Sequence, residues 1–294
     1  MNFPHHLYNN KVIVSRKGAV VTIAINNVRA MNTMDADVNG GVLQALEMCA
    51  DDASIQVVVF TGEGDRAFCA GGNLKGGSAS SGFRQKAASG KPPPTVAGAI
   101  RNLRVGMASA SLLRESHFVS ICAVNGACAC AGLSWACACD LRVAAENALF
   151  RASFLSAGLS GDFGGTYTLP RIVGPAKARE IYFMNNKIYA QEAKRIGLVS
   201  VVLSGRGKRF QQQAHEIAQR IAAASPLALK RIKSNLLESD RSLSFSQMLD
   251  VEAERHAKTG WHSDAAEAGA AFMEKRTPRF VGLGQRGKWE LSRL

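Results

Sequence analysis

Two stretches decide how this chain reads: Ala67-Phe68-Cys69-Ala70-Gly71-Gly72-Asn73-Leu74 and Asn125-Gly126-Ala127-Cys128-Ala129-Cys130-Ala131-Gly132. Each follows a short apolar run, Ile55 to Thr61 for the first and Phe118 to Val124 for the second. Runs of this length with almost no polar residue suit strands covered on both faces. The glycine-containing turns behind them can aim backbone N–H groups at one point. An oxygen that gathers negative charge during a reaction would be held there.

Working outward, Lys11 to Ser15 and Ala19 to Ile25 read as a strand hairpin turning at Arg16-Lys17-Gly18. Asp35 to Ala50 reads as an amphipathic helix carrying Val38, Val42, Leu46 and Cys49 on one side. Val96 to Ser116 reads as a second, with Ile100, Leu103, Met107, Ser111 and Leu112 on its inner face. Gly76 to Pro94, rich in Gly, Ser and Pro, reads as a surface loop beside the first turn. Leu133 to Ala138 is helical, Asp140 to Ala144 a strand, and Ala148 to Phe154 an edge strand. A turn over Leu159 to Gly165 enters the segment Thr166 to Ile172. Beyond it come helices at Ala176 to Met184, with Pro175 in the first turn, and Ala190 to Ile196, closed by Gly197. Val199 to Leu203 is a further strand, followed by helices over Phe210 to Ala224, Pro226 to Ser234, Leu243 to Thr259 and Ser263 to Lys275. The chain thus divides into an α/β body, residues 1–204, and a helical C-terminal region, residues 205–294.

The 294 residues are 47% hydrophobic and 20% charged, enough for a large core. No charge-free apolar run reaches membrane-spanning length. The longest, Ile121 to Ala138, holds Asn125, Ser134 and glycines and reads as strand, turn and buried helix. No signal-peptide core follows Met1, so a cytoplasmic location is expected; Leu291-Ser292-Arg293-Leu294 matches a peroxisomal tripeptide only loosely. Cys128, Cys130, Cys137 and Cys139 invite a zinc reading, but alanines separate them and no knuckle geometry accompanies them. They read as small packing residues, and no metal is expected. The net charge of +13 raises nucleic-acid binding. The positive residues are scattered, however, without aromatic-and-basic repeats, and a phosphorylated small ligand accounts for a local excess as well.

Taken in order, several segments resemble the crotonase superfamily, the enoyl-CoA hydratases and isomerases. Asn26 to Met34 is similar to its N-R-P-x-x-x-N-A-L segment, with Val28 in place of proline. Ala67 to Leu74 resembles A-F-x-A-G-x-D-L, and Asn125 to Asp140 resembles the N-G-x-x-x-G-G-G segment that ends in aspartate. Gly158 to Thr166 resembles G-L-x-P-D-x-G-G-T; Ala190 to Val199 and Phe272 to Phe280 match later segments. The resemblance spans roughly Val12 to Phe280.

It implies a crotonase-like ββα spiral core with a helical C-terminal region that assembles a homotrimer or hexamer. It implies an acyl-CoA substrate, with coenzyme A as part of that substrate and no permanently bound cofactor; membrane and nucleic-acid partners are not implied. The backbone N–H groups of Ala70 and Ala131 would form the oxyanion hole. Ala131 stands where the family has glycine, so a left-handed backbone there would be strained. The two catalytic glutamates of the family's hydratases match Ser134 and Phe154, which cannot serve as bases. Asp162 matches the proton-shuttling aspartate of several isomerases. Capping the helical turn at Phe163-Gly164-Gly165 is its competing role. Trp135, Phe154, Phe163 and Phe272 are candidate walls of the acyl pocket. Arg29, Ala30, Ala70, Gly72, Asn73, Leu74, Lys75 and Lys275 are candidate coenzyme A contacts. The favoured reading is an enoyl-CoA double-bond isomerase. Hydration, ring opening, C–C cleavage, dehalogenation and noncatalytic binding of CoA esters or RNA stand as alternatives.

Overall fold

The computed structural model describes residues 4–73, 95–241 and 243–281. Leu74, Lys75, the segment Gly76 to Pro94 and the final tetrapeptide lie outside the described residues. The strands are β1 (His6–Leu7), β2 (Val12–Lys17), β3 (Val20–Ile25), β4 (Val57–Gly62), β5 (Ala67–Cys69), β6 (Val119–Val124), β7 (Ala127–Ala129), β8 (Leu141–Ala145), β9 (Leu149–Arg151), β10 (Ile188–Tyr189) and β11 (Val201–Leu203). Seven of them form one sheet in the order β1-β2-β3-β4-β6-β8-β11. The β1–β2–β3 end is antiparallel, and from β3 onward every pairing is parallel. A smaller sheet has the order β10-β9-β7-β5. This is the α/β body expected, with helices following it toward the C-terminus.

Strand β4 explains its own composition. All six residues of Val57–Gly62 are buried, because both faces of the sheet are covered. Val58 and Phe60 face the main core, where Phe60 meets Phe68 and Trp135 edge-on at 5.1 and 5.3 Å between ring centroids. Val57 and Val59 face the opposite side, against Phe210, Ala214 and Ala218 of the helix Gly207–Ala222. Burying one such side chain stabilises the fold by about 1.5–3 kcal/mol. The helix Gly207–Ala222 therefore covers the sheet, although a boundary at 204/205 assigns it to the C-terminal region.

The helix Ala36–Asp51 starts where Asp35 caps it, accepting a bond from Val38 N at 2.9 Å. Val38, Val42, Leu46 and Cys49 are buried, as their spacing implies. The helix Val96–Glu115 keeps part of the expected inner face, with Met107 and Leu112 packed half-buried against the core, but departs from it elsewhere. Ile100 and Ser111 are exposed, and Gly106, Ser109, Ala110 and Leu113 are the buried positions. Polar demand sets this face: Ser109 Oγ accepts the indole N–H of the fully buried Trp135 at 2.9 Å.

A second departure lies at the end of β9. The strand stops at Arg151 because Ser153 takes a left-handed backbone (φ 57°), so Phe154 opens a one-turn helix, Phe154–Ala157, instead of ending an edge strand. Farther along, Lys233 on the helix Pro226–Ser239 is only 5% exposed. Its ammonium donates to Asp140 Oδ2 (2.7 Å), Phe118 O (2.8 Å) and Leu113 O (3.2 Å), fastening that helix to the body. Among the described residues no helix is long and apolar enough to cross a membrane.

Candidate active site

The two glycine-containing turns leave adjacent strands. β5 and β7 run parallel, with Cys69 opposite Cys128, so both turns emerge at the same end of the small sheet. Two buried asparagines hold them. Asn32 accepts from Asn27 N (2.9 Å) and donates to Glu63 O (3.1 Å) and Ala67 O (2.7 Å). Asn125 donates to Gly64 O (2.9 Å) and Ala67 O (3.1 Å). The turns then touch backbone to backbone: a Cβ on Gly132 would lie 2.3 Å from Cys69 O, so only glycine fits there.

Ala131 is the first residue of the helix Ala131–Ala138, and its N–H has no acceptor among the described residues. The start of a helix is also the positive end of its dipole, which favours a negative oxygen. Ala70 N–H donates to Met31 O at 3.2 Å, the long end of the range. An anionic oxygen would compete well for it, since bonds to a charged acceptor are roughly twice as strong. The backbone demand anticipated at Ala131 falls one residue earlier. Cys130 carries φ 50° and ψ −126°, a conformation suited to glycine.

Asp162 sits beside this corner. Its Oδ1 is buried without a hydrogen-bond partner. Burial pushes its pKa up to about 7 from the ordinary 3.8. It does not cap the following helix: Gly164 holds the N-cap position of Gly165–Val173, with no side-chain capping bond. The neighbouring thiols are pushed up too, Cys130 to about 11 and Cys69 to about 12, chiefly by burial. Both are neutral near pH 7.

Ser134 lies one turn beyond Ala131, fully buried, with no partner for its Oγ. Phe154 is buried and stacks on Tyr182, 6.1 Å between centroids. Phe163 is buried and meets Trp135 edge-on at 5.3 Å. Trp135 is thus a core residue standing behind Phe163. Phe272 is 83% exposed, so within one chain it does not form a wall with these residues. A cavity of about 440 Å³, lined by Phe154, Leu159, Thr166, Tyr182 and Phe183, shares Phe154 and Tyr182 with the site but does not reach Asp162.

Of the candidate coenzyme A contacts, Gly72 and Asn73 lie in the first turn, tied to Met34 by a bridge and by Asn73 N donating to Met34 O at 2.8 Å. Arg29 and Ala30 occupy the neighbouring turn Val28–Ala30, with Arg29 exposed. Lys275 is exposed just past the helix Ser263–Met273, with φ 53°. Tyr182 was not singled out from sequence, because a tyrosine on an amphipathic helix reads as an ordinary packing residue. Among the described residues no cluster of three or more His, Cys, Asp or Glu is arranged to hold a metal ion.

Residues 15–283 match the family model described as "Enoyl-CoA hydratase/isomerase". The chain is 29% identical to crotonyl-CoA hydratase from Syntrophomonas wolfei, over 93% of this chain and 98% of that one. It is 28% identical to 1,2-epoxyphenylacetyl-CoA isomerase from Escherichia coli, over 90% and 95% of the two chains. The crystal structure of an enoyl-CoA hydratase from Polaromonas sp. JS666 superposes with a TM-score of 0.79 at 33% identity, covering 92% of this chain and 99% of that one.

Proposed function

The chain belongs to the enoyl-CoA hydratase/isomerase family, and from that premise we propose that it shifts a double bond in an enoyl-CoA thioester with Asp162 as its single base. The observation that carries this reading is the half-buried Asp162, whose buried Oδ1 has no partner and whose pKa is raised to about 7. A group of that pKa takes and returns a proton near neutrality.

In a 3-enoyl-CoA, the carboxylate removes a proton from C2. The electron pair moves into the C1–C2 bond and onto the thioester oxygen. The resulting oxyanion is held by Ala131 N–H and by Ala70 N–H, released from Met31 O. The carboxylic acid then delivers its proton to C4, the pair returns, and a C2–C3 double bond results. Phe154 and Phe163 keep water from the carboxyl. Arg29, Ala30, Gly72, Asn73, Leu74, Lys75 and Lys275 are proposed for the coenzyme A part. A homotrimer or hexamer is proposed as the assembly, supported by exposed Phe245, Trp261, Phe272 and Met273 on the C-terminal helices.

Hydration is the second reading, favoured by the names of several relatives. Against it, Ser134 and Phe154 stand at the two glutamate positions, so Asp162 would have to activate water alone. The test is deuterium incorporation at C2 of 3-enoyl-CoA and 2-enoyl-CoA in deuterated water, for wild type and Asp162→Asn, with product identification. Exchange and 3-to-2 conversion that fall about 10²–10⁴-fold in the variant are expected. A 3-hydroxyacyl-CoA product from 2-enoyl-CoA would establish hydration instead. Undiminished exchange in Asp162→Asn would remove Asp162 from the mechanism.

A further inference from the structure

The helix Ala131–Ala138 and the turn that carries Asp162 press together at Gly165. Gly165 is buried at the start of the helix Gly165–Val173. Its backbone is not left-handed, so conformation alone would admit a side chain. Space does not. A Cβ on Gly165 would lie 2.4 Å from Ser134 Oγ, 2.8 Å from Tyr182 Oη and 3.1 Å from Ser134 Cβ. The closest of these falls short of ordinary van der Waals contact by about 1 Å. Turning the serine hydroxyl aside would not clear the space. Ser134 Cβ and the Tyr182 hydroxyl would remain, and the Tyr182 ring is stacked on Phe154.

Each side of this contact carries one half of the proposed machinery. Ser134 follows Ala131 by three residues on the same short helix, so the two share one rigid element. Gly165 N–H donates to Asp162 O at 3.0 Å, closing a turn over Phe163 and Gly164. Both central residues have positive φ, 46° and 73°, the pattern of a type I′ turn. Glycine takes that backbone freely, a phenylalanine only under constraint. The constraint is the Phe163 ring, buried edge-on against Trp135, which stands on the helix Ala131–Ala138. A turn fixed in this way passes a displacement of Gly165 on to Asp162, because close-packed interiors transmit strain.

We propose that Gly165 is a positioning residue: the absence of a side chain there sets the separation between the Asp162 carboxyl and the Ala131 N–H. This role rests on the isomerase reading above and deepens it. A methyl group at position 165 wedges the turn away from the helix. The carboxyl then no longer meets C2 and C4 of a thioester whose oxygen is held at Ala131 N–H, while the coenzyme A part binds as before.

The test is isomerisation of a 3-enoyl-CoA by the full chain carrying Gly165→Ala, alone and combined with Ser134→Ala, Tyr182→Phe or both. Each is compared with the same background that keeps Gly165. Calorimetry gives the Kd of butyryl-CoA, which has no double bond to move, and cooperative melting checks folding. Gly165→Ala is expected to lower kcat about 10²-fold while Kd changes less than about threefold. Turnover should return in steps as the hydroxyls are removed, reaching within about threefold of the Ser134→Ala/Tyr182→Phe background in the triple variant. A folded Gly165→Ala that keeps its kcat would overturn the proposal, as would a loss matched by an equal rise in Kd. If Gly165→Ala alone does not fold, the triple variant decides: unfolded or inactive beside an active background, it overturns the proposal. Asp162→Asn, run in parallel, separates the two readings. Turnover lost in Asp162→Asn but kept in Gly165→Ala removes only the positioning role. No turnover by wild type, or undiminished turnover in Asp162→Asn, overturns both.

Discussion

Replacing Asp162 by asparagine should stabilise the protein, and by an amount that depends on pH. The carboxyl has an ordinary pKa of 3.8 and is pushed up to about 7 by burial. Because the folded value is the higher one, the folded state holds the proton more tightly than the unfolded chain. Below pH 4 both states are protonated and the site carries no penalty. Between about pH 4 and 7 the unfolded chain ionises first, so stability falls as pH rises. Above pH 7 both are ionised and the penalty is complete, about 4 kcal/mol from three pKa units at 1.36 kcal/mol each. Asparagine keeps the shape and never ionises. Its stabilising effect over wild type should therefore be about 1 kcal/mol at pH 4.5 and about 4 kcal/mol at pH 8.5. The neighbouring Cys69 and Cys130 titrate at about 12 and about 11, outside this window, and the wild-type-to-variant difference cancels groups elsewhere. Urea melts at matched protomer concentration measure it. A difference that stays flat from pH 4.5 to 8.5 would refute the desolvated carboxyl, and with it the poised base.

Ser134→Ala should stabilise by about 1 kcal/mol, because it removes a buried hydroxyl that has no partner; a destabilised variant in the same melts would mean that the hydroxyl is bonded. Cys130→Gly should also stabilise, by about 1 kcal/mol, since relief of the strained backbone exceeds the added chain entropy of glycine. A lowered melting point would argue against strain there. Asp140→Ala should destabilise by about 3–5 kcal/mol, because it leaves the buried Lys233 ammonium with only carbonyl partners; a loss under 1 kcal/mol would show the ammonium to be hydrated.

Much of the body was legible because its signals are local. The apolar run ending at Thr61 is continuous since β4 is covered on both faces, and Asp35 announces the helix it caps. Apolar spacing finds only part of the inner face of Val96–Glu115, Met107 and Leu112, because the fully buried positions include Ser109, which answers Trp135 26 residues away. Phe154 was misplaced in a strand because nothing in Ala152-Ser153 betrays the left-handed turn that ends it. The two turns of the site could be named from their glycines. The strain at Cys130 could not be placed, because it depends on how tightly Gly71 approaches: a Cβ there would lie 2.7 Å from that of Cys130. Tyr182 and Lys233 escaped altogether. Their partners lie in remote segments, and no local pattern distinguishes a tyrosine or lysine that points inward.

The N–H groups proposed to hold the oxyanion belong to the main chain at Ala70 and Ala131, and this bears on how such a protein can change over generations. Every residue but proline carries a peptide N–H, so a point mutation to any other residue can exchange the side chain at either position and still leave the donor. What heredity can edit freely is the surrounding cast: an aspartate here, a serine in place of a glutamate there. On the proposed mechanism, a lineage built on this scaffold can keep its means of holding an enolate while its choice of proton carrier changes. On that reading, inheritance of the hole and inheritance of the reaction are separable events.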